Sequence, residues 1–592
     1  MALQNAERGR ARRSVCFDGN RLPRYADKLD GRYSNFKQVR WDIARRSDDF
    51  DELTRLFEQG VVSRAQFVRA LAALGITGAA ISPILGARSQ RAEAQSVTPT
   101  YLVMIVLDAF RPEYRTLAPM PALEDLMRRG TVYDRAWVGQ LESETPTGHA
   151  TLSTGCMPKN NGILGFEWRD PKSKQEVLDG WPKGVLAGEM ERDLRAAGTS
   201  SIPAAIKASD PKATVVALSS EKVYAADALG EWAADYILYH QRSGPRNDLL
   251  VPSFVPGHRP PDEVLQDPSL QIRLPMRHFT DWDWLSAQLA LVTLQQVRPK
   301  ALLINMPGAD VYGHPYGGPA TPAVMAQIAA GLDRNIARIV AAYKQAGIYD
   351  QTVFVVTADH GMVPNARFVS GDVTKAAVRQ AGGHYLFHTG GTAADIYLQN
   401  PWHGRAVAAE IVGVPNVAGA YYQVDRQGRY EYLPAPGMKI SPALDAAYQY
   451  LLSTFLGSTA PDVVAPFREN TIGGTYPNAH GDHGGLNWGA QHIPLVLSGR
   501  GVRSGHLSHY PARLMDVAPT VLRLLGLPSV PMDGIVLADA LLSPVAADAT
   551  AQSILMPTLS AFQDALIEQS TANVAEDARD RVVPPPSTPA RP

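Results

Sequence analysis

The sequence predicts an α/β fold: a doubly wound, mostly parallel central sheet with helices on both faces and a smaller inserted cap lobe. Three observations carry this. Short apolar runs recur at "TYLVMIVLDAF" (100–110), "ATVVALSS" (213–220), "KALLINMPGAD" (300–310), "TVFVVTADHG" (352–361) and "IPLVLSGRGV" (493–502). Segments 283–297 and 320–346 carry apolar residues at three- and four-residue spacing. Three of the runs end in an aspartate, Asp108, Asp310 and Asp359.

Each run is short and apolar on both faces of an extended chain, as a central strand of a parallel sheet must be. The periodic segments between them are amphipathic helices, and strands alternating with helices give a doubly wound sheet. In such sheets ligands bind at the carboxyl ends of the strands, where the three aspartates fall. Residues 95–362 and 479–545 are expected to form this domain. Residues 363–478 are rich in Gly, Pro and Tyr, with short β-like pieces such as "ADIYLQ" and "GRYEYL", and are read as an inserted cap region. Residues 546–592 are expected to be a C-terminal helix and a disordered, Pro-rich tail ending "RVVPPPSTPARP".

Residues 1–94 are expected to lie outside the fold. The chain opens Arg-rich ("ERGRARRS"), then gives a basic flank, an apolar run from Ala70 to Ala87 and a small-x-small site at Ala92-Glu93-Ala94. That is the layout of an export signal, which places the protein outside the cytoplasm. The segment "SRAQFVRALAALG" resembles a twin-arginine signal with Ala65 in place of the second arginine. Pro83 and the Ala/Gly content of the run argue against a stable membrane span.

Apolar residues make up 45% and charged residues 19%, enough for a sizeable core, and the formal charge of −1 excludes a nucleic-acid-coating surface. There is no basic stripe with interleaved aromatics. Two cysteines, Cys16 and Cys156, exclude a disulfide scaffold and a cysteine-rich zinc site. Any bound metal must therefore be held by His and Asp.

Those residue types gather at the strand ends. Asp108 follows the first run. Asp310 and His314 lie four apart, on one side of a helical turn. Asp359 and His360 are adjacent, and His480 and His483 share "NAHGDHGG". Carboxylate with imidazole suits zinc, or another divalent ion of borderline hardness. In "LESETPTGHATLSTG" (141–155), Thr145 reads as an N-cap with Pro146 at the first helical position.

In this order, "SETPTGH", "GADVYGH", "ADHGM" and "GDHGG" after the strand ending in Asp108 resemble the alkaline phosphatase superfamily, nearest its type I phosphodiesterase/nucleotide pyrophosphatase branch. The resemblance spans roughly 100–540 and includes "LMDVAPTVLRLLGLPSVPMDG" (514–534). It implies two divalent ions, with zinc expected. Asp108, Thr145, Asp359 and His360 would hold one, and Asp310, His314 and His483 the other. His483 is preferred to His480 because "GDHGG" fits the family's Gly-x-His-Gly pattern; His149 and His492 are expected to play supporting or structural parts. Thr145 would be the nucleophile and form a phosphothreonine intermediate, on small phosphate esters or nucleotides. Pro146 has no N–H to offer the phosphate, so the Thr147 amide is expected to serve.

Departures from the family bear on the substrate. Phe166 and Glu167 stand where relatives carry an asparagine that binds a phosphate oxygen. Lys222 and Tyr224 stand where phosphomonoesterases carry a Lys-x-Arg pair. "GCMPKN" resembles a sulfatase motif but lacks its arginine and follows the nucleophile segment, so Cys156 is expected to be a core residue. Tyr224, Trp232, Tyr236 and Tyr312, with loops across 223–275, are candidates for contacts to the leaving group. The expected activity is hydrolysis of phosphodiesters or nucleotide pyrophosphates. The alternatives are a phosphomonoesterase of the same superfamily and a metal-binding pseudoenzyme.

Overall fold

The computed structural model describes residues 100–170, 176–178, 188–474 and 479–582. The export signal and the end of the Pro-rich tail lie outside these. Ten strands form the main sheet: β1 (Tyr101–Leu107), β2 (Gly130–Tyr133), β3 (Val215–Ser219), β4 (Tyr236–Ser243), β5 (Leu249–Phe254), β6 (Ile272–Arg273), β7 (Ala301–Met306), β8 (Thr352–Thr357), β9 (Leu495–Gly499) and β10 (His506–Ser508). Their spatial order is β10-β2-β9-β8-β1-β7-β3-β4-β5-β6. Strand β1 lies parallel to β7 (Leu102 opposite Ala301) and to β8 (Leu102 opposite Val353), and β3 lies parallel to β7 and β4.

The five apolar runs are therefore the five central strands, and β1, β3, β7 and β8 are buried along essentially their whole length. One differs from expectation. Strand β9 runs antiparallel to β8, with Val353 opposite Gly499. Burial on both faces dictates an apolar run but not its direction, which the connection sets. Residues 223–275 also differ from the loops expected there: helix Val223–Gly230 follows β3, and β4 to β6 extend the sheet by antiparallel pairs.

Six helices matter below: α1 (Thr145–Thr154), α2 (Val223–Gly230), α3 (Asp281–Val297), α4 (Gly308–Tyr316), α5 (Pro322–Gln345) and α6 (Ala546–Val582). Helices α3 and α5 replace the expected 283–297 and 320–346, differing by two residues or fewer at each end. Helix α1 is buried on all sides and stops at Gly155, whose φ of 64° is the left-handed conformation of a helix C-terminus. Its N-cap is Glu144, not Thr145, and no side chain caps it. The Thr145 hydroxyl is turned elsewhere, as shown below. Among the described residues no helix is long and apolar enough to cross a membrane.

Within 363–478 a second, five-stranded sheet is built from Tyr385–Thr389, Ala393–Leu398, Val463–Pro466, Tyr421–Asp425 and Tyr430–Pro434, in that spatial order. A buried Arg169 joins it to the strand Glu167–Arg169: its guanidinium pairs with Asp462 and donates to the Leu398 carbonyl at 3.0 Å.

Arg513 is a second buried cation. It forks onto Asp516 (2.7 and 3.0 Å) and reaches the Tyr450 hydroxyl at 3.0 Å, while Asp516 also takes the Ile535 amide at 2.9 Å. Removing one partner of a buried pair leaves the other charge uncompensated. Arg513→Met is expected to cost about 3–5 kcal/mol of unfolding free energy, read as a lower urea midpoint. A midpoint within error of the parent would contradict this account of the pair.

Candidate metal centre

Elements from four strand ends and one inserted turn converge on one point. The first turn of α1 packs directly on the end of β8, because Gly148 lacks a Cβ: one there would lie 2.7 Å from the Asp359 carbonyl oxygen. Asp108 follows β1, Lys222 precedes α2 at the end of β3, Asp310 and His314 lie one turn apart on α4, and Asp359 and His360 follow β8. His483 arrives on the chain leaving 363–478.

Three of the histidines are oriented the same way. His314, His360 and His483 direct Nδ1 at the carbonyls of Gly481, Gly361 and Ser143, at 3.0, 2.9 and 3.2 Å. A carbonyl only accepts, so each Nδ1 carries a proton and each Nε2 is the atom a metal would take; against its burial, Asp310 pushes His314 up to about 9, so an ion there would displace its second proton. His360 Nε2 lies 3.2 Å from Thr145 Oγ1, 3.4 Å from Asp359 Oδ2 and 3.6 Å from Asp108 Oδ1. The Nε2 atoms of His314 and His483 lie 3.4 and 3.1 Å from Asp310 Oδ1.

A tetrahedral ion with ligands at about 2.1 Å holds those ligands roughly 3.4 Å apart, so both groups have the size of a zinc cage. Asp310 Oδ1 and Asp359 Oδ2 are buried with no well-aligned hydrogen-bond donor, as coordinating oxygens would be. The residues fit a pair of divalent ions. The His360 and His483 rings stack at 3.8 Å, which puts the two groups side by side. The seven expected ligands are thus brought together. His480 is not among them: it is exposed, and only its backbone reaches His314. His492 stacks on Trp488 and faces Glu113.

The surroundings hold the ligands in place. Asn305, buried in β7, donates through Nδ2 to Asp108 Oδ2 at 2.8 Å and to His149 Nε2 at 3.0 Å, and accepts from Ser219 Oγ at 2.8 Å. His149 is therefore an acceptor at Nε2 and a donor at Nδ1, which faces the Thr145 carbonyl at 2.9 Å and Asp359 Oδ2 at 3.2 Å. One chain, Ser219–Asn305–His149, thus orients both carboxylates of the Thr145 group. Outer partners of this kind commonly change metal affinity 10–100-fold. Asn305→Leu is expected to weaken divalent-ion retention by about that factor, read by competition with a chromophoric chelator, with the second site less affected. Equal retention would show that Asn305 only fills space.

Lys222 is not the solvated side chain a surface lysine would be. Its Nζ lies 2.6 Å from Asp310 Oδ2, 2.9 Å from Asp108 Oδ1 and 3.1 Å from Thr145 Oγ1, with the residue 3% exposed. Burial and the Asp359 charge push Asp108 up to about 7. Against its own burial, Asp310 is held well below the carboxylate range by Lys222 and His314. Burial holds His360 and His483 below the usual imidazole value, so both are neutral and able to coordinate.

The remaining candidates lie around this centre. The Thr147 hydroxyl donates to the carbonyls of Glu142 and Glu144 at 2.9 and 3.0 Å. Tyr224 is buried against Phe166, ring centroids 5.3 Å apart, so two of the residues that depart from the expected pattern form an apolar contact. Tyr312 packs on Phe279, and Arg195 lies over Trp232. Tyr236 is half-buried on β4. Cys156 is a buried thiol, pushed up to about 12 by burial and by Asp533.

Sequence reasoning did not single out Asn305, Asp283 or Asp482. Asp283 accepts the Gly308 amide at 2.7 Å, anchoring the start of α4, and Asp482 groups with His314 and His483. Asn305 could have been found as the one amide in an otherwise apolar central strand.

A model of the family described as type I phosphodiesterase / nucleotide pyrophosphatase matches residues 102–485, a stretch containing all seven ligand candidates. Alkaline phosphatase PhoD of Zymomonas mobilis is 25% identical over 282 residues, 40% of this chain and 48% of that protein. The bis(5'-adenosyl)-triphosphatase enpp4 of Xenopus laevis is 22% identical over 269 residues, 45% of this chain and 48% of that protein. The chain thus spans about half the length of the curated relatives it matches. Among solved structures, the alkaline phosphatase PafA superposes with a TM-score of 0.59 at 15% identity, covering 75% of this chain and 99% of that one. That likeness confirms the α/β fold expected from the sequence.

Proposed function

The chain belongs to the type I phosphodiesterase / nucleotide pyrophosphatase family, and on that premise we propose that it is a metal-dependent phosphoric ester hydrolase in which Thr145 is the nucleophile. Phosphodiesters or nucleotide pyrophosphates are the preferred substrates, a class in keeping with the name of the enpp4 relative. Asp108, Thr145, Asp359 and His360 would hold one divalent ion and Asp310, His314 and His483 the other. The mixed Asp/His donor set favours zinc. Bound there, the ions supply Lewis acidity, which ionises a hydroxyl near neutral pH and offsets charge on the phosphoryl oxygens.

The chain's own residues then act as follows. Thr145 Oγ bonds to phosphorus as the bond to the leaving oxygen breaks; the bonding pair departs with that oxygen, which takes up a proton through solvent in exchange for the one the hydroxyl releases. The retained arm stays on Thr145 as a threonyl phosphodiester. Water attacks the same phosphorus, the Thr145–O–P bond breaks, and the phosphomonoester leaves as the hydroxyl regains a proton. Lys222 holds the threonine oxygen in line, and α1 directs its positive end at the phosphoryl group, with the Thr147 amide as donor.

The preference for diesters rests on Lys222. A monoester dianion needs an additional cation, but beside Lys222 the chain places Tyr224, buried against Phe166, which offers no guanidinium. Hydrolysis of a nitrophenyl phosphodiester beside the matching monoester, by zinc-loaded protein, tests this. Faster turnover of the diester is expected. A monoester preference would instead assign Lys222 to the substrate phosphate, and metal uptake without turnover of either would indicate a pseudoenzyme. The export layout of residues 1–94 supports an extracytoplasmic location, which cell fractionation would check.

A further inference from the structure

We propose that Asp283, on α3, is a positioning residue that sets where Asp310 and His314 stand and so governs how tightly the second divalent ion is held. This rests on the assignment of Asp310, His314 and His483 to that ion. Helix α4 carries two of those three ligands and has little of its own to fix its start. Pro307, which precedes it, has no side chain able to cap it, and Pro315 removes a backbone donor from its last turn.

The missing cap comes from α3. Asp283 is fully buried, and its Oδ1 accepts the Gly308 amide at 2.7 Å. The glycine permits this approach: a Cβ on Gly308 would lie 2.2 Å from Asp283 Oδ2 and 2.7 Å from its Cγ, so any side chain there would drive the carboxylate and the helix start apart. Asp283 Oδ2 has no hydrogen-bond partner among the described residues. Asp310 follows two residues later, so a shift of the helix start is a shift of its carboxylate.

A second contact from α3 shows what that start is aligned against. Ser286, three residues beyond Asp283 and also buried, accepts the Ser220 amide through Oγ at 2.9 Å. Ser220 lies in the turn from β3 to Lys222, where the Lys222 amide donates to Ser219 Oγ at 3.2 Å. Two side chains of one helix therefore hold the turn carrying Lys222 and the helix carrying Asp310, and those two residues meet at 2.6 Å. The ligands of the first ion stand on other elements: Asp108 follows β1, Thr145 begins α1, and Asp359 and His360 follow β8. Losing Asp283 should therefore loosen one ion and spare the other.

The test measures divalent-ion affinity of full-length protein by stepwise competition with a chromophoric chelator, and stability by urea titration. Asp283→Ala is expected to weaken one ion about 10–100-fold, the range for groups that orient ligands, and to leave the other within about threefold. The weakened ion should be the one that His314→Ala removes. Gly308→Ala, which keeps the carboxylate but displaces it, should act in the same way, and it decides the matter if Asp283→Ala does not fold. Burial pushes Asp283 up to about 7, so the bond to Gly308 does not depend on charge, and Asp283→Asn should restore most of the lost affinity. A merely structural part for Asp283 predicts a lower urea midpoint with both ions held as in the parent, or both weakened alike. Either result would overturn the proposal, as would an asparagine variant as weak as the alanine one. A parent that holds fewer than two ions would overturn the metal assignment itself, and this proposal with it.

Discussion

Thr145→Ala is expected to lower turnover of a phosphodiester by on the order of 10⁴-fold or more, the scale seen when a nucleophile acting as part of a unit is removed. The expectation follows from where the hydroxyl points. As an N-cap, Thr145 would turn its oxygen back to the helix amides. Instead Oγ1 lies 3.2 Å from His360 Nε2 and 3.1 Å from Lys222 Nζ, and Glu144 occupies the cap position. The hydroxyl gives up capping energy, about 1 kcal/mol, to face the cation-binding groups. Metal content should change little, since Asp108, Asp359 and His360 remain. Thr145→Ser, which keeps the hydroxyl, should retain most of the activity that the alanine variant loses. Turnover of Thr145→Ala within tenfold of the parent would exclude this residue as the nucleophile.

The second large effect concerns stability. Lys222→Met should cost the metal-free protein about 3–5 kcal/mol of unfolding free energy, because Asp108 and Asp310 would be left buried without their shared ammonium. Loading with zinc should erase most of the difference, since the ions then neutralise the same carboxylates. A lysine serving only to bind substrate phosphate predicts another pattern: equal stability with and without metal, and a raised KM. Paired urea titrations of parent and variant, metal-free and zinc-loaded, separate the two. A destabilisation of the same size in both states would contradict the shared-charge account.

Much of this centre was legible because its chemistry coincides with strand ends. An apolar run followed by Asp108 or Asp359 marks both a buried strand and the edge where such sheets bind ligands. The pairing of Asp310 with His314 needed only helical spacing. What stayed hidden depends on contacts between distant segments. Asn305 gains its part from Ser219 on one side and from Asp108 and His149 on the other, none of them its neighbour in sequence. Asp283 looks like one more helix-start charge in "DWDW" until α3 brings it to the Gly308 amide. The antiparallel course of β9 is silent because apolar pattern carries no direction. Lys222 was singled out in the motif order, but its burial between two aspartates could not be read from "EKVYAAD".

The central claim is covalent catalysis by Thr145, and the most direct measurement is to acid-quench the zinc-loaded protein during turnover of a slow phosphodiester and map the adduct by peptide mass spectrometry. The account predicts one modified peptide, carrying the retained phosphoryl arm on Thr145. Quenched samples that turn over substrate at an appreciable rate, show no adduct on Thr145 and give inversion at a chiral phosphorus would contradict it, because water would then attack the substrate directly.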